Sequence, residues 1–361
     1  MLFEPHQQSI GLDISDRSLK AVQLRRNLAG KLQVAAAAER DLPPTVFEDG
    51  EIKQPDVLAK AIMELLTQPQ LGDFSTPYVV ACLPETKTFI KMIDVPPMSD
   101  SEIPQAIRWE AEHHIPIPID ETYWDWQRVN HGHDHAGGNA RLPVLLGVVP
   151  KHIADSYTQA ISDAKLVPLA LEIEAVAISR SLLPVTDDGS TTASMVIDFG
   201  ATRTSLIVVD RGTIQFTMSL PTSGRKITET ISATLKLTED QAEKAKLVCG
   251  LDPKKCHGAI AEILHAAMDE LVHRIREAIS FYREHFPQGN AVAEVVLCGG
   301  GANFKLIDAH LGEKLDLTVR RGNPWLNLEP SPTPLKPAEL LSYTTAIGLG
   351  LRTTVDESLY D

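Results

Sequence analysis

One sequence pattern occurs twice in this chain and limits what the chain can fold into. Each copy consists of an apolar strand that ends in an aspartate, a polar turn and a second apolar strand. The two aspartates, Asp13 and Asp198, lie about half the chain apart. In each copy a third strand follows and then an amphipathic helix, predicted at 55–66 and 226–235. Such a repeat predicts two similar domains that face each other across a cleft.

The turn after Asp198 carries groups that suit a phosphate. Gly200 lets the backbone turn sharply, while Ala201 and Thr202 add backbone amides and a hydroxyl. The carboxylate at the strand end stands where a hydrated Mg²⁺ is usually held against phosphate oxygens. Taken alone, an Asp-x-Gly turn is more typical of an ordinary hairpin. The second copy at Asp13 is what favours the phosphate interpretation.

A third turn is rich in glycine. Gly299, Gly300 and Gly301 follow a short apolar strand at 293–297. Successive glycines permit a flat ligand to approach the backbone closely, although plain glycine loops are common as well. The three turns in this order indicate a ligand-binding cleft more strongly than any one of them does.

The composition excludes several classes of protein. A formal net charge of −14 argues against binding of nucleic acid through bulk charge. The four cysteines (Cys82, Cys249, Cys256 and Cys298) are widely spaced, which predicts reduced and mostly buried thiols in a cytosolic protein. No apolar run approaches the ~20 residues of a membrane span. We therefore expect a cytoplasmic protein that reaches the inner membrane only through partners.

The stretch from about 86 to 167 predicts an inserted subdomain with the order strand, helix, strand, strand, helix. Its helix within 101–116 either partly covers a sheet or helps to form a partner surface, and both remain open. The loop 131–138 contains His131, His133, His135 and Asp134. Its glycines argue against a rigid metal site, so we expect an ordinary hairpin loop there.

These motifs together resemble the actin, heat-shock-chaperone and sugar-kinase ATPase superfamily. Asp13 with Lys20 resembles its first phosphate loop, the Asp198 turn resembles the second, and residues 297–302 resemble the adenosine loop. Glu243 and Lys246 match the E-x-x-K pair that faces ribose and adenine in that superfamily. Without the other motifs, this pair is more typical of a surface ion pair.

Over nearly the whole chain the sequence is similar to the PilM family of type IV pilus assembly, which is itself related to the division protein FtsA. The matching stretches are 11–14, 101–116, 196–201, the Glu243 and Lys246 pair, and 346–349. The resemblance implies an α/β, actin-like and ribonuclease H-like fold with two duplicated domains, 1–190 and 191–361. It also implies an FtsA-like insertion at about 86–167 and a helical subdomain at about 224–289.

The resemblance further implies ATP and Mg²⁺ as ligands. Asp13 and Asp198 would organise the hydrated metal, and Lys20 would face the phosphates. The other implied phosphate and nucleoside contacts are Ser15, Gly200, Ala201, Thr202, Glu243, Lys246, Gly299, Gly300 and Gly301. Glu172, at a strand end, is either a catalytic acid that orients water or a surface glutamate. Ser15 replaces the glycine usual in the first loop, so we expect slow hydrolysis at most.

The implied partner is the short N-terminal peptide of a PilN-like membrane protein, bound at the inserted subdomain. Other pilus platform proteins and a homo-oligomer are further expectations, and nucleic acid is not expected. Three alternatives stay open. An FtsA-like division protein would need a basic amphipathic helix where 352–361 is short and acidic. A GspL-like secretion subunit would continue through a membrane span, and a small-molecule kinase would need a catalytic base in a substrate pocket.

Overall fold

A computed structural model describes residues 8–99, 101–129, 142–184, 191–329 and 340–354. The histidine-containing loop 131–138, most of the predicted linker 184–192 and the acidic end of the chain beyond 354 lie outside the described residues. None of the helices within the described ranges combines the length and the hydropathy that crossing a membrane requires.

The strands of the first half are β1 (Ile10–Ile14), β2 (Ser18–Arg26), β3 (Leu32–Asp41), β4 (Phe47–Glu48), β5 (Glu51–Ile52), β6 (Tyr78–Leu83), β7 (Phe89–Val95), β8 (Thr122–Arg128), β9 (Leu142–Pro150) and β10 (Val167–Ile173). Its helices are α1 (Pro55–Thr67), α2 (Ile103–His114), α3 (Lys151–Asp163) and α4 (Glu174–Leu182).

The strands of the second half are β11 (Ala193–Phe199), β12 (Thr204–Asp210), β13 (Thr213–Leu220), β14 (Val292–Cys298) and β15 (Thr318–Arg321). Its helices are α5 (Gly224–Leu235), α6 (Glu239–Cys249), α7 (Ala259–His285), α8 (Ile307–Leu315) and α9 (Thr344–Arg352). Most of these elements were predicted from the sequence to within two residues; α8, β15 and the β4–β5 hairpin were not predicted.

The two large sheets have the same topology. The first has the strand order β10-β6-β1-β2-β3 and the second the order β13-β12-β11-β14-β15. In each sheet the aspartate-bearing strand pairs antiparallel with the strand after its turn and parallel with a later strand. The predicted duplication is therefore confirmed strand by strand.

Helices cover both faces of each sheet, which is why the central strands are apolar throughout. Helices α1 and α3 pack on one face of the first sheet, and α9 packs on the other. The second sheet is covered by α5–α8 on one face and by α4 on the other. Met195, Val196 and Ile197 of β11 are all fully buried as a result. Burial of each such side chain contributes about 1.5–3 kcal/mol.

A three-stranded sheet of order β7-β9-β8 forms a small subdomain together with α2. Ile103, Ile107 and Ala111 of α2 are buried against one face of this sheet. From the other face, Ile90 and Leu145 pack toward the core shared by α4 and the second large sheet. The small sheet therefore lies between its own helix and the second half of the chain.

Helices α4 and α9 form the joint between the two halves. A Cβ on Gly348 of α9 would overlap the carbonyl oxygen of Ala177 in α4, and a Cβ on Gly11 of β1 would overlap that of Ala346. The backbones therefore pack at distances that only glycine permits. Arg180 of α4 also donates to the carbonyl oxygen of Gly348 at 2.9 Å.

One prediction about the cysteines is wrong. The structure joins Cys249, at the end of α6, to Cys256 in a disulfide, with the two Cα atoms 6.0 Å apart. The two residues are seven positions apart in the sequence, and the chain between them turns back so that they meet. Cys82 and Cys298 are buried free thiols, as predicted.

We expect Gly348→Ala to destabilise the protein, because the added methyl group has no space against Ala177. Overpacking of this kind costs about 1–3 kcal/mol. Gly312→Ala is the matched control: it lies in α8, its Cβ would make ordinary contacts, and alanine favours the helix. Urea unfolding followed by circular dichroism compares the two variants. Equal midpoints would contradict the proposed close packing of α4 and α9.

Candidate functional site

The two repeated aspartates occupy equivalent places in the two sheets. Asp13 lies near the end of β1, opposite Lys20 of β2, and Asp198 lies near the end of β11, opposite Ser205 of β12. Asp13 is 3% exposed. The turns that follow the two aspartates are in contact, since Thr202 Oγ1 lies 3.2 Å from Asp16 Oδ2, so the two strand ends face each other across a cleft. The charge of Asp13 also helps to raise the pKa of Asp198.

Each aspartate also accepts a weak hydrogen bond from a buried thiol on the neighbouring parallel strand. Cys82 Sγ of β6 lies 3.5 Å from Asp13 Oδ1, and Cys298 Sγ of β14 lies 3.7 Å from Asp198 Oδ1. Burial and the adjacent carboxylates raise the pKa of both thiols, so both remain protonated donors. The duplication therefore extends to the residues that surround each aspartate.

Two further acids, Glu85 and Glu174, lie near these aspartates and were missed by the sequence analysis. Burial, followed by the charges of Asp198, Asp13 and Glu85, raises the pKa of Glu174 well above its usual range. Burial, together with the charges of Glu85 and Asp13, raises the pKa of Asp198 to about 6. Glu174 is the first residue of α4, directly after β10. Its position after a parallel strand was the one signal that could have identified it.

Glu172 does not join this group of acids. Its buried carboxylate accepts from Arg180 at 2.6 and 2.7 Å and from Arg352 at 2.7 Å. These bonds tie together β10, α4 and α9. The alternative that Glu172 is a surface glutamate is therefore wrong. A role of Glu172 in orienting water stays a prediction, and the two arginines that hold its carboxylate do not favour it.

Lys20 is a cation near the acids, as predicted from the first turn. Its Nζ donates to Ser18 Oγ at 2.7 Å and lies 3.5 Å from Glu39. Its charge also acts to lower the pKa of Asp198, against the larger effect of burial. Lys20 is 7% exposed, so its charge acts within the cleft rather than in bulk water.

The backbone amides of the two turns are less available than predicted. Ser15 N donates to Ser18 O at 3.1 Å, and Gly200 N donates to Arg203 O at 2.9 Å. Ser15 Oγ donates to Asp13 Oδ1 at 2.8 Å. A Cβ on Gly200 would lie 2.8 Å from Arg203 O, which explains the glycine. Phosphate contacts at these turns therefore depend on hydroxyls and on the amides that do not close a turn.

The second turn is anchored to the start of α5. The amides of Gly224 and Arg225 donate to the carbonyl oxygens of Gly200 and Ala201, both at 3.0 Å. Thr202 Oγ1 donates to Asp16 Oδ2 at 3.2 Å, a contact with the first half of the chain. Thr202 is thus held by the turn that follows Asp13.

Glu243 and Lys246 are more than a surface ion pair. Lys246 is 4% exposed, and its Nζ donates to Gly224 O at 2.9 Å and to Thr228 Oγ1 at 2.7 Å. It also pairs with Glu243 at 2.7 Å. Burial lowers the pKa of Lys246. Because Gly224 in turn holds Gly200, the pair fixes the position of the second turn.

The three glycines of the third turn have different surroundings. A Cβ on Gly299 would overlap Asp198 Oδ1, and a Cβ on Gly301 would overlap the ring of Phe199. Gly299 also has a φ of +75°, which other residues rarely adopt. Gly300 has no atom within 4 Å of its Cβ position. Two of the glycines are therefore required by packing, and the middle one faces open space.

Comparison with known proteins identifies the family. The sequence pattern of type IV pilus assembly protein PilM matches residues 11–354. The chain belongs to the PilM family. A solved structure described as the PilM-PilN type IV pilus biogenesis complex matches with a TM-score of 0.81 and 25% identity, over 97% of this chain and 100% of that one. The predicted family is thereby confirmed.

More distant structures share the fold. Ethanolamine utilization protein EutJ from Carboxydothermus hydrogenoformans matches with a TM-score of 0.57 and 15% identity, over 96% of this chain and 90% of that one. MreB5 of Spiroplasma citri bound to ADP also has a TM-score of 0.57, with 11% identity over 98% of both chains. These matches confirm the actin-like fold predicted for this PilM family member.

The acids of this PilM family member fit a hydrated cation better than a directly bound one. Among the described residues, no three His, Cys, Asp or Glu side chains converge as a set of metal ligands. Glu85 Oε1 is nevertheless buried without a hydrogen-bond partner. Mg²⁺ keeps several of its waters in proteins and takes few carboxylate ligands. Asp13 and Asp198 therefore suit Mg²⁺ held through water.

We expect Glu172→Gln and Glu174→Gln to have opposite effects on stability. Glu172→Gln breaks a buried ion pair and should lower the free energy of unfolding by about 3–5 kcal/mol. Glu174→Gln removes a carboxylate that burial and like charges disfavour, so the melting temperature should rise.

The rise for Glu174→Gln should be larger at pH 8.5 than at pH 5. A carboxyl whose pKa is raised by folding stabilises the protein while protonated, and this contribution is lost as the pH rises through the raised pKa. Glutamine does not titrate, so the variant escapes that loss. Scanning calorimetry at both pH values tests the prediction. A fall in melting temperature for both variants would show that Glu174 is paired rather than repelled.

Proposed function

We propose that this PilM family member binds ATP with Mg²⁺ in the cleft, and that its small subdomain binds a short N-terminal peptide of a PilN-like membrane protein. One observation carries the nucleotide proposal: the turn after Asp198 contacts the turn after Asp13 through the hydrogen bond from Thr202 to Asp16, and Ser205, opposite Asp198, donates to Glu85. The carboxylates beside these contacts favour a bound cation, which a nucleotide with its metal supplies.

In this proposal the residues of the cleft divide into those that hold the metal, those that contact the phosphates and those that contact the nucleoside. Asp13 and Asp198 hold the hydrated Mg²⁺, which offsets phosphate charge, and Lys20 faces the phosphate oxygens. The hydroxyls of Ser15 and Thr202 and the backbone at Gly200 and Ala201 contact the phosphates. Gly300, with open space beside it, lies against the nucleoside, flanked by Gly299 and Gly301. Glu243 and Lys246 hold the second turn in place.

The structural neighbours support a nucleotide in this cleft. MreB5 of Spiroplasma citri, which shares the fold at a TM-score of 0.57, has been solved with ADP and with AMPPNP. The fold thus accommodates both a diphosphate and a triphosphate analogue in that protein. In the present chain, the carboxylates of Asp13 and Asp198 independently favour a nucleotide that carries a cation.

The peptide proposal is supported by the similarity to the solved PilM-PilN complex and by an apolar pocket in the small subdomain. The pocket has a volume of about 80 Å³, enough for a small apolar side chain. It lies between β7, β9 and α2, and its lining residues are Phe89, Ile90, Lys91, Ile93, Ala111, Ile115, Leu146 and Val148. Strand β7 is at the edge of its sheet, where an extended peptide gains backbone hydrogen bonds.

We expect Asp13→Asn and Asp198→Asn each to weaken binding of an ATP analogue at least tenfold in the presence of Mg²⁺. A lost carboxylate leaves the hydrated cation, and therefore the phosphate charge, poorly held. Asp73→Asn is the control, since Asp73 is an exposed acid outside the cleft. Titration calorimetry with and without Mg²⁺ measures the effect. Unchanged affinity in both folded variants would contradict the nucleotide proposal.

For the peptide, we expect Phe89→Ala and Ile115→Ala to lower the affinity about tenfold, through loss of apolar contact in the pocket. Leu28→Ala is the control, because Leu28 is fully exposed on the turn after β2. Fluorescence polarisation with a labelled N-terminal peptide of the cognate PilN-like protein gives the dissociation constants. If the wild-type chain does not bind the peptide but co-purifies with the full-length partner, the interface lies outside the small subdomain.

A further inference from the structure

Three side-chain contacts join the second turn and the start of β12 to the first half of the chain. Thr202 donates to Asp16 at 3.2 Å, and Arg203 pairs with Asp49 at 3.3 Å. The third contact is a hydrogen bond from Ser205 Oγ to Glu85 Oε2. This turn follows Asp198 directly, so all three contacts lie beside the site proposed for the phosphates.

Two of these contacts lead to the same short segment. Glu85 is the first residue of a single 3-10 turn that ends at Lys87. Asp49, the partner of Arg203, also pairs with Lys87 at 3.3 Å. Strand β7 begins two residues later at Phe89, which lines the apolar pocket. The turn 85–87 thus connects the ligand cleft directly with the strand that borders the pocket.

The environment of Glu85 suits it to respond to the cleft. Its carboxyl group is mostly buried; one oxygen accepts from Ser205 and the other, buried, has no hydrogen-bond partner. Its charge is the largest electrostatic contribution to the raised pKa of Asp198. A carboxyl group held by one neutral hydroxyl in this way is sensitive to any movement of that hydroxyl.

We propose that the Glu85–Ser205 hydrogen bond couples nucleotide binding in the cleft to peptide affinity at the pocket. The inference rests on the proposed function. Phosphate oxygens compete with Asp16 for the hydroxyl of Thr202 and with Asp49 for the guanidinium of Arg203. The turn then has two arrangements, docked on the first half or engaged with phosphate. Ser205 moves with the turn and changes the position of Glu85, the turn 85–87 and β7.

The test measures the peptide dissociation constant with and without a non-hydrolysable ATP analogue and Mg²⁺. For the wild-type chain we expect the nucleotide to change this constant by about 5-fold or more, as is typical of coupled sites. In Ser205→Ala the ratio should approach 1, because the donor to Glu85 is lost. In Ser205→Thr, which keeps the hydroxyl, the ratio should be largely restored.

Ser219→Ala is the matched control. Ser219 lies opposite Ser205 on β13 but is exposed, so its removal should leave the wild-type ratio. Glu85→Gln provides a second variant, since its amide oxygen still accepts from Ser205 and should preserve part of the coupling. As a thermodynamic check, the peptide must change the nucleotide affinity by the same factor.

The outcomes separate this inference from the proposed function. A wild-type chain that binds peptide with equal strength in both states, or a Ser205→Ala variant that keeps the full ratio, overturns the coupling and leaves the proposed function intact. A wild-type chain that binds nucleotide but no peptide overturns the peptide half of the proposed function, and this inference with it.

Discussion

The ion pair of Glu172 with Arg180 and Arg352 lies where the two halves of the molecule meet. It joins β10 to α4 and α9, with the side chains of Glu172 and Arg180 buried, and the glycine contacts between the two helices bring their backbones together beside it. Charges buried in this way must be fully paired. This joint holds the end of β10 against α4, and with it Glu174, the first residue of that helix.

Most of the architecture could be predicted because the same sequence pattern occurs in both halves of the chain. Each copy of the aspartate turn supports the other, and the apolar strands and amphipathic helices around them follow ordinary periodicity. Elements without a repeat partner were harder. Strand β15 has only four residues, and α8 begins after Leu306 in a left-handed conformation, so neither has the length or start signal that a pattern needs.

The site was predictable only as far as residues belong to motifs. Asp13 and Asp198 were found by their repeated pattern and Lys246 by its match to a superfamily motif, whereas Glu85 and Glu174 gain their importance from burial beside other acids, which no local pattern records. Glu172 was predicted from its place at the end of β10, whereas Glu174, two residues later at the start of α4, was not considered, because only the fold shows which of the two lies beside the other acids. The domain limits stay predictions, although the packing of α3 and α9 on the first sheet bears on them.

The return of α9 to the first sheet has a consequence for synthesis on the ribosome. Ala346, Ile347 and Leu351 fill the core beneath β2, more than three hundred residues after that strand has been made. The amino-terminal half therefore leaves the exit tunnel with an uncovered apolar face and cannot finish folding until α9 emerges. Contacts so distant along the chain slow folding and expose intermediates to aggregation. Nascent chains of this protein should accordingly depend on chaperones until translation is nearly over.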